Sequence, residues 1–70
     1  MKEILDLHGI RHSDVDRLVE NLILLHDDWK IICGNSDKMI EIVKQKLDWA
    51  YEDHGIAWEF INHNVFESVI

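Results

Sequence analysis

Proline is absent from this chain of 70 residues, glycine occurs three times and cysteine once. With Cys33 alone, no intrachain disulfide can form and no zinc-type Cys/His spacing exists. A single thiol suits a reducing compartment. The scarcity of proline and glycine leaves no linker, low-complexity tract or repeat, so one domain over residues 1–70 is expected. No apolar run approaches the ~20 residues of a membrane span. The start Met1-Lys2-Glu3-Ile4-Leu5-Asp6 places acids too early for a signal peptide. The expected location is cytoplasmic, away from membranes. Basic residues are also scarce: 7 against 14 acids, a formal charge of −7. A nucleic-acid binder usually presents a basic face, so contact with a polyphosphate must rest here on a local site, a bound cation or a basic partner.

What is present suffices for a small core. Apolar residues make up 47% of the chain, although a domain this short buries only about 60% of the surface its unfolded chain exposes. Glu3 to Leu7 reads as a strand apolar enough to be buried on both faces. His8 to His12 is a turn in which Gly9 supplies a positive φ. Ser13 reads as an N-cap, with Asp14 and Asp16 at the positive end of the helix dipole. Val15, Leu18, Val19, Leu22, Leu25 and His26 then form one helical stripe. Trp29 to Cys33 is a second strand, and Asn35 or Ser36 caps a second helix. That helix buries Met39 or Ile40, Val43, Leu47, Ala50 and Tyr51 and stops at Gly55. Ile56 to Ile61 is a third strand, Asn62-His63-Asn64 a turn, and Val65 to Ile70 a returning fourth strand.

The order β-α-β-α-β-β predicts a small two-layer α/β domain. Its sheet is expected to be mostly parallel, with a C-terminal antiparallel hairpin at one edge. Ligands of such sheets bind beyond the carboxyl ends of the strands. Two strand ends qualify, Asp6-Leu7-His8-Gly9 and Cys33-Gly34-Asn35-Ser36, and they share a crevice if their strands are neighbours.

Asp6 and His8 stand two apart, on one side of an extended chain. A carboxylate beside an imidazole can orient the ring and support proton transfer near neutral pH. The plainer reading is that Asp6 caps the turn and His8 is an ordinary turn residue. Arg11 and His12 can grip a phosphate at the first helix N-terminus, or form a solvated polar loop. Asn35, Ser36 and Lys38 open the second helix and offer an anion site or simple capping. Cys33, at the end of an apolar strand, reads as packing. His26, His54 and His63 receive no chemistry. Of Trp29, Trp49 and Trp58, which read as core or sheet-edge cover, Trp49 is the one expected to be exposed.

Leu5-Asp6-Leu7-His8-Gly9, opening a chain with this order of elements, resembles the start of the Smr (small MutS-related) domain, which carries the string LDLHG. That family has a second motif, TGxG or HGxG, after the next strand. Here the stretch is Cys33-Gly34-Asn35-Ser36, in which only Gly34 matches. Smr domains act as DNA-nicking or RNA-cleaving endonucleases or as nucleic-acid-binding modules. The resemblance implies Asp6 and His8 as catalytic residues, Gly9 shaping the turn, and Gly34 admitting a phosphate. Arg11, His12, Asn35, Ser36 and Lys38 complete the expected substrate contacts, to DNA or RNA. No metal ligand set is expected. A divalent cation, Mg²⁺ or Mn²⁺, held partly by Asp6 would offset some acidic repulsion, but one carboxylate is a poor metal site. A different class of function is carried by the charge: a non-catalytic acidic module that binds a protein partner, or a nucleic-acid mimic occupying a basic surface.

Overall fold

The computed structural model describes residues 2–69. Its elements are β1 (Glu3–Asp6), α1 (His12–Leu25), β2 (Trp29–Ile32), α2 (Asp37–His54), β3 (Trp58–Asn62) and β4 (Val65–Ser68). The expected order of elements is present. No helix among the described residues is long and apolar enough to cross a membrane.

The four strands form one mixed sheet in the order β1-β2-β4-β3. β1 and β2 are parallel, whereas β4 is antiparallel to both β2 and β3. The C-terminal hairpin is therefore real, but β4 is an interior strand and β3 takes the edge. The sheet is mixed rather than mostly parallel at the level of pairing. The physical reason lies in β4: Phe66 is fully buried and Val65 and Glu67 half-buried, while Glu59 to Asn62 of β3 are exposed. The more apolar-packed strand takes the centre. The expected burial of β1 on both faces is likewise corrected, because β1 is an edge strand and only Leu5 within it is half-buried.

Both helices pack on one sheet face. Their buried residues, Val15, Val19 and Ile23 of α1 and Met39, Val43, Leu47 and Ala50 of α2, meet Trp29, Ile31 and Phe66 of the sheet. Ile23 replaces the expected Leu25, which is 76% exposed, and Leu18 and Leu22 lie at the margin of the core. In the run Leu22-Ile23-Leu24-Leu25 every residue is apolar, so composition does not set the helix phase. Tyr51 is 61% exposed, since Ala50 already fills the buried stripe and Tyr51 lies about 100° further round the helix.

Two polar devices tie neighbouring elements, one within the sheet and one between the helices. The Ser68 hydroxyl accepts from the Trp29 N–H at 2.9 Å and lies 3.3 Å from the Trp29 carbonyl, to which it donates. Lys46 of α2 reaches Glu20 at 2.7 Å and Asp16 at 3.3 Å on α1. Burial of that ammonium lowers its pKa, and the hydrogen bonds to Glu20 and Asp16 outweigh this, so the group is raised overall. Its Nζ also stands 4.1 Å from the centre of the Trp49 ring, a cation–π contact. Trp49 is thus half-buried rather than exposed.

Candidate functional site at the carboxyl rim of the sheet

Because β1 and β2 are parallel neighbours, their carboxyl ends deliver the β1–α1 and β2–α2 turns to the same rim. β4 starts opposite the end of β2, with Val65 across from Ile32. The turn at His63 and Asn64 therefore joins them.

The first turn is self-contained. Leu7 is fully buried, and its N–H continues the ladder to the Ile32 carbonyl at 2.8 Å. The Ile10 N–H donates to the Leu7 carbonyl at 3.0 Å, which makes His8 and Gly9 the central residues of a tight turn. Gly9 has φ +80°, the left-handed value that the second central residue of a type II turn requires. Asp6 Oδ1 accepts from the backbone N–H of His8 at 2.9 Å. The carboxylate thus shapes the turn through the main chain, which is the plainer of the two readings of the Asp6–His8 pair. The His8 side chain is exposed.

Closing of the turn at Ile10 also moves the start of α1. Arg11 is the extended N-cap residue, without a side-chain cap, and the helix begins at His12. Ser13 lies inside the first turn, so the expected Ser13 cap does not form.

The second turn is braced from outside. Cys33 is 2% exposed, and burial pushes its thiol up from 9.0 to about 11, so packing is its role. Its N–H donates to the Asn64 carbonyl at 2.9 Å, and the Asn64 side-chain amide donates to the Gly34 carbonyl at 2.8 Å. Asn64 therefore holds both ends of one peptide pair. The sequence offers only a polar residue in a short turn as the signal for this role. Gly34 has φ +75°. Ser36 caps α2, its hydroxyl accepting from the Met39 N–H at 3.2 Å.

The two turns touch. A Cβ built on Gly34 would lie 3.5 Å from the imidazole of His8, so this ring stands over the glycine. Asp6, His8, Gly9, Arg11, His12, Gly34, Asn35, Ser36 and Lys38 are all brought to this rim. Among the described residues, Lys2, Arg17, Lys44 and Lys46 form ion pairs, whereas Arg11, Lys30 and Lys38 appear in none. Two of these three, Arg11 and Lys38, stand at the helix starts of this rim, Arg11 as the N-cap of α1 and Lys38 in the first turn of α2, where Asp14 and Asp37 also lie.

Among the described residues no group of three or more His, Cys, Asp and Glu side chains converges on a point that could hold a metal ion. Two concavities lie elsewhere. One of about 250 Å³ lies at the opposite rim, between Trp29, Ile56 and Val69, and one of about 240 Å³ lies between β1 and α1. No known protein-family model, curated protein or solved structure matches this chain.

Proposed function

We propose that this chain is an Smr-like domain that binds nucleic acid across the carboxyl rim and cuts a phosphodiester there, with His8 as the proton-transfer group. The observation that carries the reading is the close approach of the exposed His8 imidazole to Gly34, on the rim where both helices start and where Arg11 and Lys38 stand outside the ion pairs of the described residues.

Each part has a chemical task. A phosphate seats beside the His8 ring, which itself covers Gly34. It faces the N-terminal N–H groups of α1, which no side chain caps, and the dipoles of both helices favour its charge. Arg11 and Lys38 add charge-assisted hydrogen bonds. His8 takes a proton from the attacking hydroxyl, water or the neighbouring 2′-OH where the strand is RNA, and returns one to the leaving oxygen. Asp6 is a positioning residue: its bond to the His8 N–H sets the angle at which the ring leaves the turn. A divalent ion bound by the nucleic acid's own phosphates would lower the repulsion from a domain of charge −7.

The test is incubation of the purified chain with plasmid DNA and with a structured RNA, with and without Mg²⁺ or Mn²⁺, beside His8→Ala. Cleavage by the wild type that His8→Ala loses supports the reading. Identical behaviour of the two proteins overturns it. The overall charge favours a second reading, in which the exposed acids of both helices make the domain a decoy for a basic nucleic-acid-binding protein. In that case the chain competes with nucleic acid for such a protein and leaves the strand intact.

A further inference from the structure

The sheet has two free edges, and they are built differently. β3 carries a register irregularity between Phe60 and Asn62, and an edge interrupted in this way is a poor template for another strand. β1 has a regular four-residue register. The N–H groups of Glu3 and Leu7 donate towards β2, to the carbonyls of Asp28 and Ile32. By the two-residue period of a strand, the N–H and C=O groups of Ile4 and Asp6 point the other way, to the unpaired edge. Beside that edge runs the groove of about 240 Å³ between β1 and α1, whose walls include Ile4, Leu5, Leu18, Leu22 and Leu25. Ile4 is 62% and Leu25 76% exposed, the two most exposed large apolar side chains among the described residues.

We propose that this edge accepts an extended peptide of a protein partner as a fifth strand, and that the peptide carries two basic residues bracketing two apolar ones. Strand addition supplies main-chain hydrogen bonds at Ile4 and Asp6; of the two adjacent apolar side chains one enters the leucine groove beside Leu5 and the other covers Ile4 on the opposite face. Charge sets the rest. The edge reads Glu3-Ile4-Leu5-Asp6, with both acids exposed. The nearby Lys2 is already held by Asp28 at 2.7 Å and Glu67 at 3.1 Å. A second copy would bring the same two acids and the same committed lysine, together with its own charge of −7. A segment with Lys or Arg opposite Glu3 and Asp6 neutralises the bracket, and opposite charges across a strand pair are favourable. The proposal shares Asp6 with the carboxyl rim but holds whether or not that rim cleaves nucleic acid.

The probe is the blocked peptide Gly-Lys-Val-Leu-Lys-Gly at millimolar concentration, added to the full chain with amide exchange followed by NMR. Exchange at Ile4 and Asp6 is expected to slow by about tenfold, as for amides entering a ladder. Two controls, Gly-Glu-Val-Leu-Glu-Gly and Gly-Lys-Ser-Ser-Lys-Gly, are expected to leave both amides unchanged. Ile4→Pro removes an outward N–H while leaving the bonds to β2, and edge positions tolerate proline. It should abolish the protection, with the tryptophan near-UV signal retained to show folding. If that variant unfolds, the wild-type exchange decides alone. Unchanged exchange at Ile4 and Asp6 overturns the proposal, as does equal protection by either control. Protection of the same amides without peptide, together with a dimer in sedimentation, also overturns it and assigns the edge to a second copy.

Discussion

The two strand-to-helix turns at the carboxyl rim have similar lengths, each with one glycine at positive φ, yet they are held in opposite ways. The β1–α1 turn is closed by its own chain: Asp6 to the His8 N–H, Leu7 to Ile10, and Arg11 left as an uncapped helix start. The β2–α2 turn is held by a distant segment, since Asn64 clamps Cys33 and Gly34 and Ser36 caps the helix. A locally closed turn anchored by Leu7 and Ile10 can keep the His8 side chain in solvent, because that ring is not needed for packing. A turn braced through tertiary contacts is a fixed floor. The rim thus pairs an exposed imidazole with a rigid surface beneath it, a division of labour that suits a site in which one group moves protons and the other receives a phosphate.

The largest effect separating the two turns is chemical. His8→Ala should lower strand cleavage by about 10²- to 10⁴-fold, the usual worth of one positioned acid or base. Thermal unfolding of the same variant should match the wild type, because the ring is exposed and caps nothing. A comparable loss of stability would show that His8 is part of the floor.

Next comes pH, which acts on the stability of the braced turn through its thiol. Burial raises the Cys33 thiol from 9.0 to about 11. The folded state favours the neutral thiol, so this contribution is fully present below pH 9, where folded and unfolded chains are both protonated. It is lost as pH rises from 9 towards 11, because only the unfolded chain then ionises. The loss amounts to about 2–3 kcal/mol, from 1.36 kcal/mol per pH unit. Urea titrations from pH 8 to pH 11, with Cys33→Ala as reference, measure it. Parallel curves for the two proteins would mean that the thiol is solvated.

The clamp should follow. Asn64→Ala leaves the Gly34 carbonyl without its side-chain donor and should cost about 1–2 kcal/mol. It should also raise the apparent Kd for a nucleic-acid probe, because the floor loosens. Asp6→Ala, which removes one exposed bond within the first turn, should cost about 0.5–1 kcal/mol and change the pH dependence of cleavage more than the stability.

This contrast also explains how much could be read in advance. Locally determined features were legible: the order of elements, the positive φ at Gly9 and the helix stop at Gly55, a cap at Asn35 or Ser36, which Ser36 supplies, and the burial of Cys33. Each depends on residues within one turn of the chain. The placement of β4 between β2 and β3 was not legible. A tight hairpin makes β4 a neighbour of β3, but which strand takes the centre depends on long-range packing around Phe66 and Ser68. Asn64 was missed for the same reason: its partners are 30 residues away. The rim residues themselves were found because LDLHG and the glycine after β2 are local strings. The role of Asp6 was harder, since spacing places it near His8 without saying whether the ring or the main chain receives its bond.

The smallest effects sharpen the comparison at the helix starts. Both Ser13 and Ser36 are serines near a first helical turn, and side-chain chemistry alone would rank them equally. Only Ser36 accepts from a backbone N–H, that of Met39 at 3.2 Å, whereas α1 starts at His12 from an uncapped Arg11. Ser36→Ala should therefore lower stability by about 1 kcal/mol, as for a lost N-cap, whereas Ser13→Ala should change it by less than about 0.5 kcal/mol. Asp at position 11 is the converse substitution: Arg11→Asp supplies the missing cap and should stabilise α1 by about 0.5–1 kcal/mol. It also removes a cation from the rim and occupies the N–H groups proposed to meet phosphate, so nucleic-acid affinity should fall as stability rises. Opposite movement of these two quantities in one variant would mean that the uncapped helix start is left open for a ligand. A variant that gains stability and keeps its affinity would place the phosphate elsewhere.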